Sequence, residues 1–556
     1  MICLPIGVTR RAFLKTAAAG LAMTGHASAQ PGAGRETLYN GIVLPRPWPP
    51  RRRDFSTVPQ RPPYLAAPPA VIPIDVGRQL FVDDFLIEES GLHRVFHRAE
   101  YHPANPILVP VRDWERHDPY AVVTGTAPSQ SAMVFSDGVF HDPSDRRFKM
   151  WYMGGYQQHT ALALSDDGIA WHRPQLDVVR GTNIVSAHAR DSNTVWLDLE
   201  TRNPAERFKM AAYDLDIKAL RLSVSEDGIH WREVGVSGPC GDRSTFFRIP
   251  FRGVWSFSLR ADVEGSSVRY RRYIESRDFA PTNWHQQDPV SWTGADALDI
   301  VRPDLDTAPQ MYNLDAVAYE SLMLGLFTMY RGEKSDREKS NDLCVDFSRD
   351  GFHWSRSSRQ PFISVSERQG DWNWGNVQSA GGCCLIVGDR LHFYVSGRQG
   401  VPGTSLPGEC STGLATLRRD GFASVSDEWP SGVARVVSPD RASLTTRPVR
   451  FSGGHLFVNA SIDGSIRVEV LDVAGRAIEP FSLDRTLPVT GDATRLPVRW
   501  RGGADLAQLA GQAVRFRFTL SRARLFAFWV SATAAGHSRG YVAAGGPGFS
   551  RSVDAD

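Results

Sequence analysis

SDDGIAW from Ser165 to Trp171, SEDGIHW from Ser225 to Trp231 and SRDGFHW from Ser348 to Trp354 are three copies of one cassette, Ser-x-Asp-Gly-x-x-Trp. Two degraded copies, SRDFAPTNW from Ser276 to Trp284 and RRDGFAS from Arg418 to Ser424, extend the series. The five start at positions 165, 225, 276, 348 and 418, which lie 51 to 72 residues apart. Such spacing is too long for a solenoid repeat and suits a four-stranded blade with long loops, so five cassettes count five blades. Within each intact copy an apolar alternating run leads in, Asp-Gly supplies the positive φ of a tight turn, and the Trp is placed to cover a seam between blades.

Between cassettes the pattern repeats: an apolar strand, a polar turn, a second apolar strand, a variable loop, then the strand entering the cassette. Blade one reads SAMVF, FKMWYMGGY and ALALS; blade two reads NTVWLDL, RFKMAAY and LRLSV. Beyond the fifth cassette, from about Val436, short alternating strands such as RPVRFSGGHLFVNASI, SIRVEVLD and RLFAFWVS follow without any cassette. Helical periodicity is nearly absent. The chain reads as all-β: a five-bladed β-propeller over residues 75–430 followed by a C-terminal β-sandwich over 436–546. Residues 30–74, crowded with Pro and Arg between Pro45 and Pro73, read as an extended linker or wrap.

The first 29 residues carry Thr9-Arg10-Arg11-Ala12-Phe13-Leu14-Lys15, a short weakly apolar stretch and Ala27-Ser28-Ala29. This is a twin-arginine signal with an A-x-A cleavage site, so the expected destination is the periplasm or the medium and the twin-arginine machinery is an expected partner. Neither a lipid-anchor cysteine at the cleavage site nor a later apolar run long enough to span a bilayer is seen, so no membrane anchor is expected. After the signal, Cys240, Cys344, Cys383, Cys384 and Cys410 have neither metal-ligand nor redox spacing. They read as buried free thiols, with no metal site and no cofactor. Formal charge is +2, and only six of the 63 basic residues are Lys. The Arg excess reads either as genome base composition or as a rim suited to carboxylate or sulfate groups on a substrate; nothing suggests nucleic acid.

In a propeller the residues just before each innermost strand, and the loops joining second to third strands, converge on the central funnel. The cassette turns lie at the other end, which makes Asp167, Asp227 and Asp350 scaffold. Aligning the inner strands places Asp191 before SNTVW, Asp242 before RSTFF and Asn313 before LDAVA, with Asp315 two residues further in; Arg190 and Arg243 flank the first two. Asp191, Asp242 and Asp315 are the catalytic candidates, because cleavage of a glycosidic bond needs one carboxyl kept protonated and another ionised. Arg243 and Asn313 are expected to bind substrate, and Trp372 and Trp374 either stack on a sugar or fill a blade seam. Tyr156, Asp214, Arg260, Arg331 and Arg398 come from the second-to-third strand loops, and the segments after Arg331 and Arg398 are candidate subsite walls or lids. Glu320 falls in an outer turn at the wrong end.

NPIL from Asn105 to Leu108, Trp114-Glu115, FKMWYMGGY and SDDGIAW together resemble the opening of the five-bladed propeller glycosidases, glycoside hydrolase families 32, 43 and 68 and the related mannoside phosphorylases. The resemblance runs from about Gly77 to the end, and a sandwich after the propeller is similar to the family 32 arrangement. It implies an Asp nucleophile or base, a second stabilising Asp and a Glu or Asp acid on inner strands; by analogy only, it also allows a calcium in the channel. The departures are concrete. There is no W-x-N-D-P-N-G motif, no intact Arg-Asp-Pro and no Glu-Cys pair on an inner strand; Arg190-Asp191-Ser192 is the nearest echo. The expected function is an exported glycoside hydrolase acting on an oligo- or polysaccharide. The alternatives are a non-catalytic glycan-binding propeller and a phosphorylase or lyase on the same scaffold.

Overall fold

A computed structural model describes residues 35–51, 55–116, 129–280, 284–285, 287–305, 307–428 and 442–555. The twin-arginine segment lies outside the described residues.

Five sheets form five propeller blades. Blade one comprises Ala132–Asp142, Arg147–Gly154, His159–Ser165 and Ile184–Ser186. Blade two comprises Asn193–Leu197, Phe208–Asp214, Ala219–Ser225 and Arg232–Pro239; blade three comprises Thr245–Ile249, Val254–Asp262, Arg269–Ser276 and Val290–Gly294. Blade four is built on Gln310–Glu320, Leu322–Lys334 and Arg337–Ser348. In blade five Asn376–Ser379 and Leu385–Val387 both pair with Arg390–Arg398, which pairs with Cys410–Arg418. The outermost strand of blade five is Glu100–Tyr101, which precedes blade one in the chain. The ring is therefore closed by a strand from its own beginning.

The cassette follows the third strand of its blade, and its chemistry repeats in all three intact copies. The hydroxyls of Ser165, Ser225 and Ser348 accept from the glycine amides of Gly168, Gly228 and Gly351 at 2.8, 2.9 and 2.9 Å. Each Asp carboxylate accepts from the two amides beyond the glycine, as Asp350 does from Phe352 and His353 at 2.9 and 2.8 Å. The three glycines sit at φ 75, 77 and 83°, where a Cβ is strained. The turn then locks to its neighbour: Tyr394 of blade five donates to the Gly168 carbonyl, and Trp151 of blade one donates to that of Gly228. Trp292 of blade three likewise donates to the Phe352 carbonyl at 2.7 Å. The seam is thus held by a backbone carbonyl as well as by the cassette Trp.

The C-terminal strands form an eight-stranded sheet around two long strands, His455–Leu471 and Arg515–Ser531. Side chains from both ends of each, such as Val458, Val468, Phe516 and Phe528, share one core, so the sheet is folded over on itself. The strands do not divide at residue 430 or 436. Gln79–Leu80 pairs with Arg515–Ser531, Ile87–Ser90 with Ser443–Thr446, and His93–Phe96 with Ala423–Ser426, which itself joins the long strand. In the other direction Tyr541–Val542 leaves this sheet and pairs with Tyr319 and Glu320 of blade four. Its continuation receives or gives backbone hydrogen bonds at His141, Cys384 and Ile386, so the tail closes the propeller floor across blades one, four and five. Buried Leu80 and Val82 belong to the propeller core and Phe81 between them to the sheet core, and an alternating strand does not announce its distant partner.

The Pro-rich stretch is a wrap. Tyr39 donates to the Ser321 carbonyl at 2.6 Å, Asn40 to that of Arg349 at 2.8 Å and Tyr64 to that of His353 at 2.9 Å. Leu38, Ile42 and Leu44 are buried beneath it. Cys240, Cys344, Cys383, Cys384 and Cys410 are free thiols.

Candidate active site

Inner strands run from the funnel mouth to the floor closed by the tail, so the residues that open them share one rim. Asp191 opens blade two and Asp242 opens blade three. The Gln157 amide donates to Asp191 Oδ2 at 2.9 Å, while Asp191 Oδ1 is buried without a partner. Burial, and then the negative charge of Asp242, push the Asp191 carboxyl above the usual range, with Arg243 pulling it back. Asp242 is ion-paired with Arg260 and keeps a side-chain exposure of 36%. One carboxyl is dry and favours its proton; its neighbour is wet and cation-paired.

Arg243 follows Asp242 into the funnel wall. It is fully buried, its guanidinium carbon lies 3.8 Å from the centroid of Phe135, and its Nη2 donates to Ser136 Oγ at 3.0 Å. Its Nε and Nη1 are buried without partners. Across the mouth, Arg398 pairs with Glu338 at 2.8 Å, both buried, and stacks 5.5 Å from Tyr156. Burial raises the Tyr156 hydroxyl, Arg398 lowers it, and the negative charges of Glu338 and Asp191 add to the rise. These residues, with Gln157, bring Asp191, Asp242, Arg243, Arg260, Arg398 and Tyr156 into one cluster.

Asp315 sits lower. Its Oδ2 accepts from Ser136 of blade one at 3.0 Å, Asn313 of blade four at 2.9 Å and Ser379 of blade five at 2.6 Å. An oxygen on the blade-four inner strand that is bonded to those of blades one and five makes Asp315 a tie between inner strands. Burial raises its carboxyl, while the Ser379 hydroxyl and Arg243 hold it down. Asn313 also donates to Ser136, so it too serves the tie. Beside it Asp137 accepts from Arg190 at 2.6 Å and from Asn193, and burial pushes it up to about 6 against the pull of Arg190.

The remaining candidates lie elsewhere. Trp372 covers blade five flat: a Cβ on Gly397 or Gly413 would fall 2.3 or 2.1 Å from its ring, and Tyr101 meets its edge. Trp374 is buried with the Arg337 guanidinium 5.0 Å from its ring centroid. Both tryptophans pack blade five. Arg331 pairs with Asp342 at 3.3 Å and donates to the Ile300 carbonyl, inside blade four. Asp214 pairs with Arg221 in its own hairpin. Glu320, at the floor end, pairs with Arg78 and Arg419. The segment after Arg331 is a tight extension of two strands, closed by the Lys334–Arg337 pairing.

Ser136, Asp137 and Glu338 were not legible as site residues. In SAMVFSDGVF the polar triplet before Val139 reads as a turn, yet it lies inside one strand, at a register shift between Met133 and Gly138 with Ser136 at φ 63°. The signal was a Ser-Asp-Gly bulge in an otherwise apolar run.

Among the described residues no three His, Cys, Asp or Glu side chains converge as metal ligands. Around Asp315 the carboxylate is divided: Oδ1 is buried without a partner. The other oxygen is taken by three donors, and the nearby positive charge is the Arg243 guanidinium, bonded to the same serine.

The fold and rim define a five-bladed propeller with a carboxyl pair in its funnel. No protein-family model matches the chain and no curated protein matches it. Among solved structures it is similar to one described as showing that the GH130 family of mannoside phosphorylases contains glycoside hydrolases that target β-1,2 mannosidic linkages in Candida mannan; identity is 14%, over 58% of this chain and 94% of that one, at a TM-score of 0.38. It is also similar to a thermostable family-43 glycoside hydrolase, at 13% identity over 56% of this chain and 98% of that one, TM-score 0.38. A third is a fructofuranosidase variant from Schwanniomyces occidentalis complexed with fructosylnystose, at 11% identity over 71% of this chain and 94% of that one, TM-score 0.32.

Proposed function

We propose that the chain is an exported glycoside hydrolase that cleaves an oligo- or polysaccharide with Asp191 as general acid and Asp242 as base or nucleophile. The observation that carries this reading is the contrast in surroundings of two neighbouring carboxyls: Asp191 is buried and pushed up by burial and by its neighbour's charge, whereas Asp242 is more exposed and ion-paired with Arg260. Two carboxyls with opposite protonation at one pH are what protonation of a glycosidic oxygen and activation of water or carbon require. Arg243 moderates the rise of the Asp191 carboxyl, and Asp315 ties inner strands together below it.

The test is a reducing-sugar screen of purified protein against a polysaccharide panel, followed by Asp191→Asn and Asp242→Asn on whichever substrate is cut. Each variant is expected to lose about 10²-fold or more in kcat while still binding substrate, as for removal of a general acid or base. Full activity in both variants, or binding without turnover in the parent protein, overturns the reading; the second outcome leaves a glycan-binding propeller. Export is supported by the Thr9–Lys15 segment, and Arg10→Lys with Arg11→Lys is expected to hold the protein in the cytoplasm in a fractionation assay.

A further inference from the structure

The funnel's charges do not balance within the protein. Arg190, Arg260 and Arg398 each have a carboxylate within ion-pair distance, at Asp137, Asp242 and Glu338. Arg243, Arg269 and Arg271 have none among the described residues. Arg271 is fully buried and donates to the Ser258 hydroxyl at 2.9 Å and to the carbonyls of Arg243 at 2.7 Å and Tyr312 at 3.3 Å, all uncharged acceptors. Arg269 donates to Gln310 at 2.9 Å and stacks 5.3 Å from both Tyr312 and Tyr330. Arg243 gives one bond to a serine and leaves two buried nitrogens unpartnered.

A buried guanidinium without a carboxylate is costly, because its charge is desolvated and only partly compensated by dipoles. The cost shows in Arg271, which burial and then the like charge of Arg243 lower to about 9. The unpaired acids of the same funnel, Asp191 and Asp315, are both raised by burial, so their compensating charge is the weaker for it. A protonated Asp191 also presents a donor to an incoming anion.

Resting on the glycosidase reading above, we infer that the substrate carries an anionic substituent, a uronate carboxylate or a sulfate ester, which enters the funnel beside Asp191 and is held by Arg243, with Arg269 and Arg271 supplying the surrounding positive charge. Guanidinium is the group suited to such oxyanions, since its planar N–H donors match both carboxylate and sulfate oxygens. A neutral sugar leaves the excess charge in place.

The test is calorimetric binding to matched pairs: methyl glucuronoside against methyl glucoside, methyl galacturonoside against methyl galactoside, and galactose 6-sulfate against galactose. The uronate and sulfate arms tell the two sources apart. At least one acid is expected to bind tenfold or more tightly than its neutral twin, with the preference shrinking as salt rises. Arg269→Gln, which leaves the buried pair in place, is expected to keep the fold and reduce the preference; Arg243→Gln is expected to abolish it. If no acid outbinds its twin in the parent protein, the inference is wrong, whether or not the variants fold. Selective binding of an acid without cleavage of any polysaccharide sinks the glycosidase reading and leaves this one standing, whereas cleavage of neutral glycans without such preference does the reverse.

Discussion

Asp191 makes the sharpest prediction at the scale of a single residue. Its carboxyl is raised in the folded protein, so it keeps its proton to higher pH than an exposed Asp. As general acid it is active while protonated, and kcat/KM should fall as pH rises through the raised value. Arg243 holds that value down, so replacing Arg243 with Met should move the alkaline limb to higher pH while Asp191→Asn removes it. A pH profile of kcat/KM on both variants checks the assignment; an unmoved limb in Arg243→Met would remove Arg243 from the acid's environment. This carboxyl pair was legible in the sequence because strand-opening residues of adjacent blades must share a rim. Asp315, two residues further in, lies deeper on a strand that rises about 3.3 Å per residue, and its hydrogen bonds to Ser136 and Ser379 were not legible from the strand pattern.

Among elements, the cassette carries the blades. Asp350 is buried and accepts two backbone amides and the Ser348 hydroxyl, so Asp350→Ala strands donors in a buried turn and should cost about 1–3 kcal/mol in urea unfolding. Gly228→Ala should also destabilise, because the new Cβ lies 2.6 Å from the Trp151 ring at a φ of 77°. Asp227 is set differently. Burial works against its ionisation, but the His230 amide and imidazole outweigh it and hold the carboxyl at about 2. A depressed carboxyl contributes its stability above the unfolded value of 3.8 and loses it as pH falls through about 2. Asp227→Asn should therefore flatten the acid side of a Tm-against-pH curve. Blades were legible because cassette and apolar alternation repeat locally. The strands that cross between propeller and sheet were not, since Gln79–Leu80 and Tyr541–Val542 are two residues each and owe their pairing to partners hundreds of positions away.

For the whole molecule, the crossing strands predict how it comes apart. The N-terminal strands 79–96 lie in the C-terminal sheet, Glu100–Tyr101 closes blade five, and the tail after Tyr541 closes the floor. The propeller and sheet should then unfold in one calorimetric transition, and chains cut near residue 435 should give two pieces of which neither folds alone. Two separated transitions would show that the shared strands contribute little. The buried network that joins the parts is polar as well as apolar: Arg78 pairs with Asp420 at 2.9 Å and lies over Trp529 at 4.2 Å, linking the entry to the Gln79–Leu80 strand, cassette five and the long strand.

The tail also sets a clock on synthesis. Residues that emerge from the ribosome early, at 79–101, wait for partners at 415–426 and 515–531, and blade four waits for Tyr541. A product stalled before residue 515 lacks the strand that pairs with Gln79–Leu80 and leaves the apolar run Leu80, Phe81 and Val82 without that cover. The fold begun at Gln79 is finished only when Tyr541–Val542 reaches blade four.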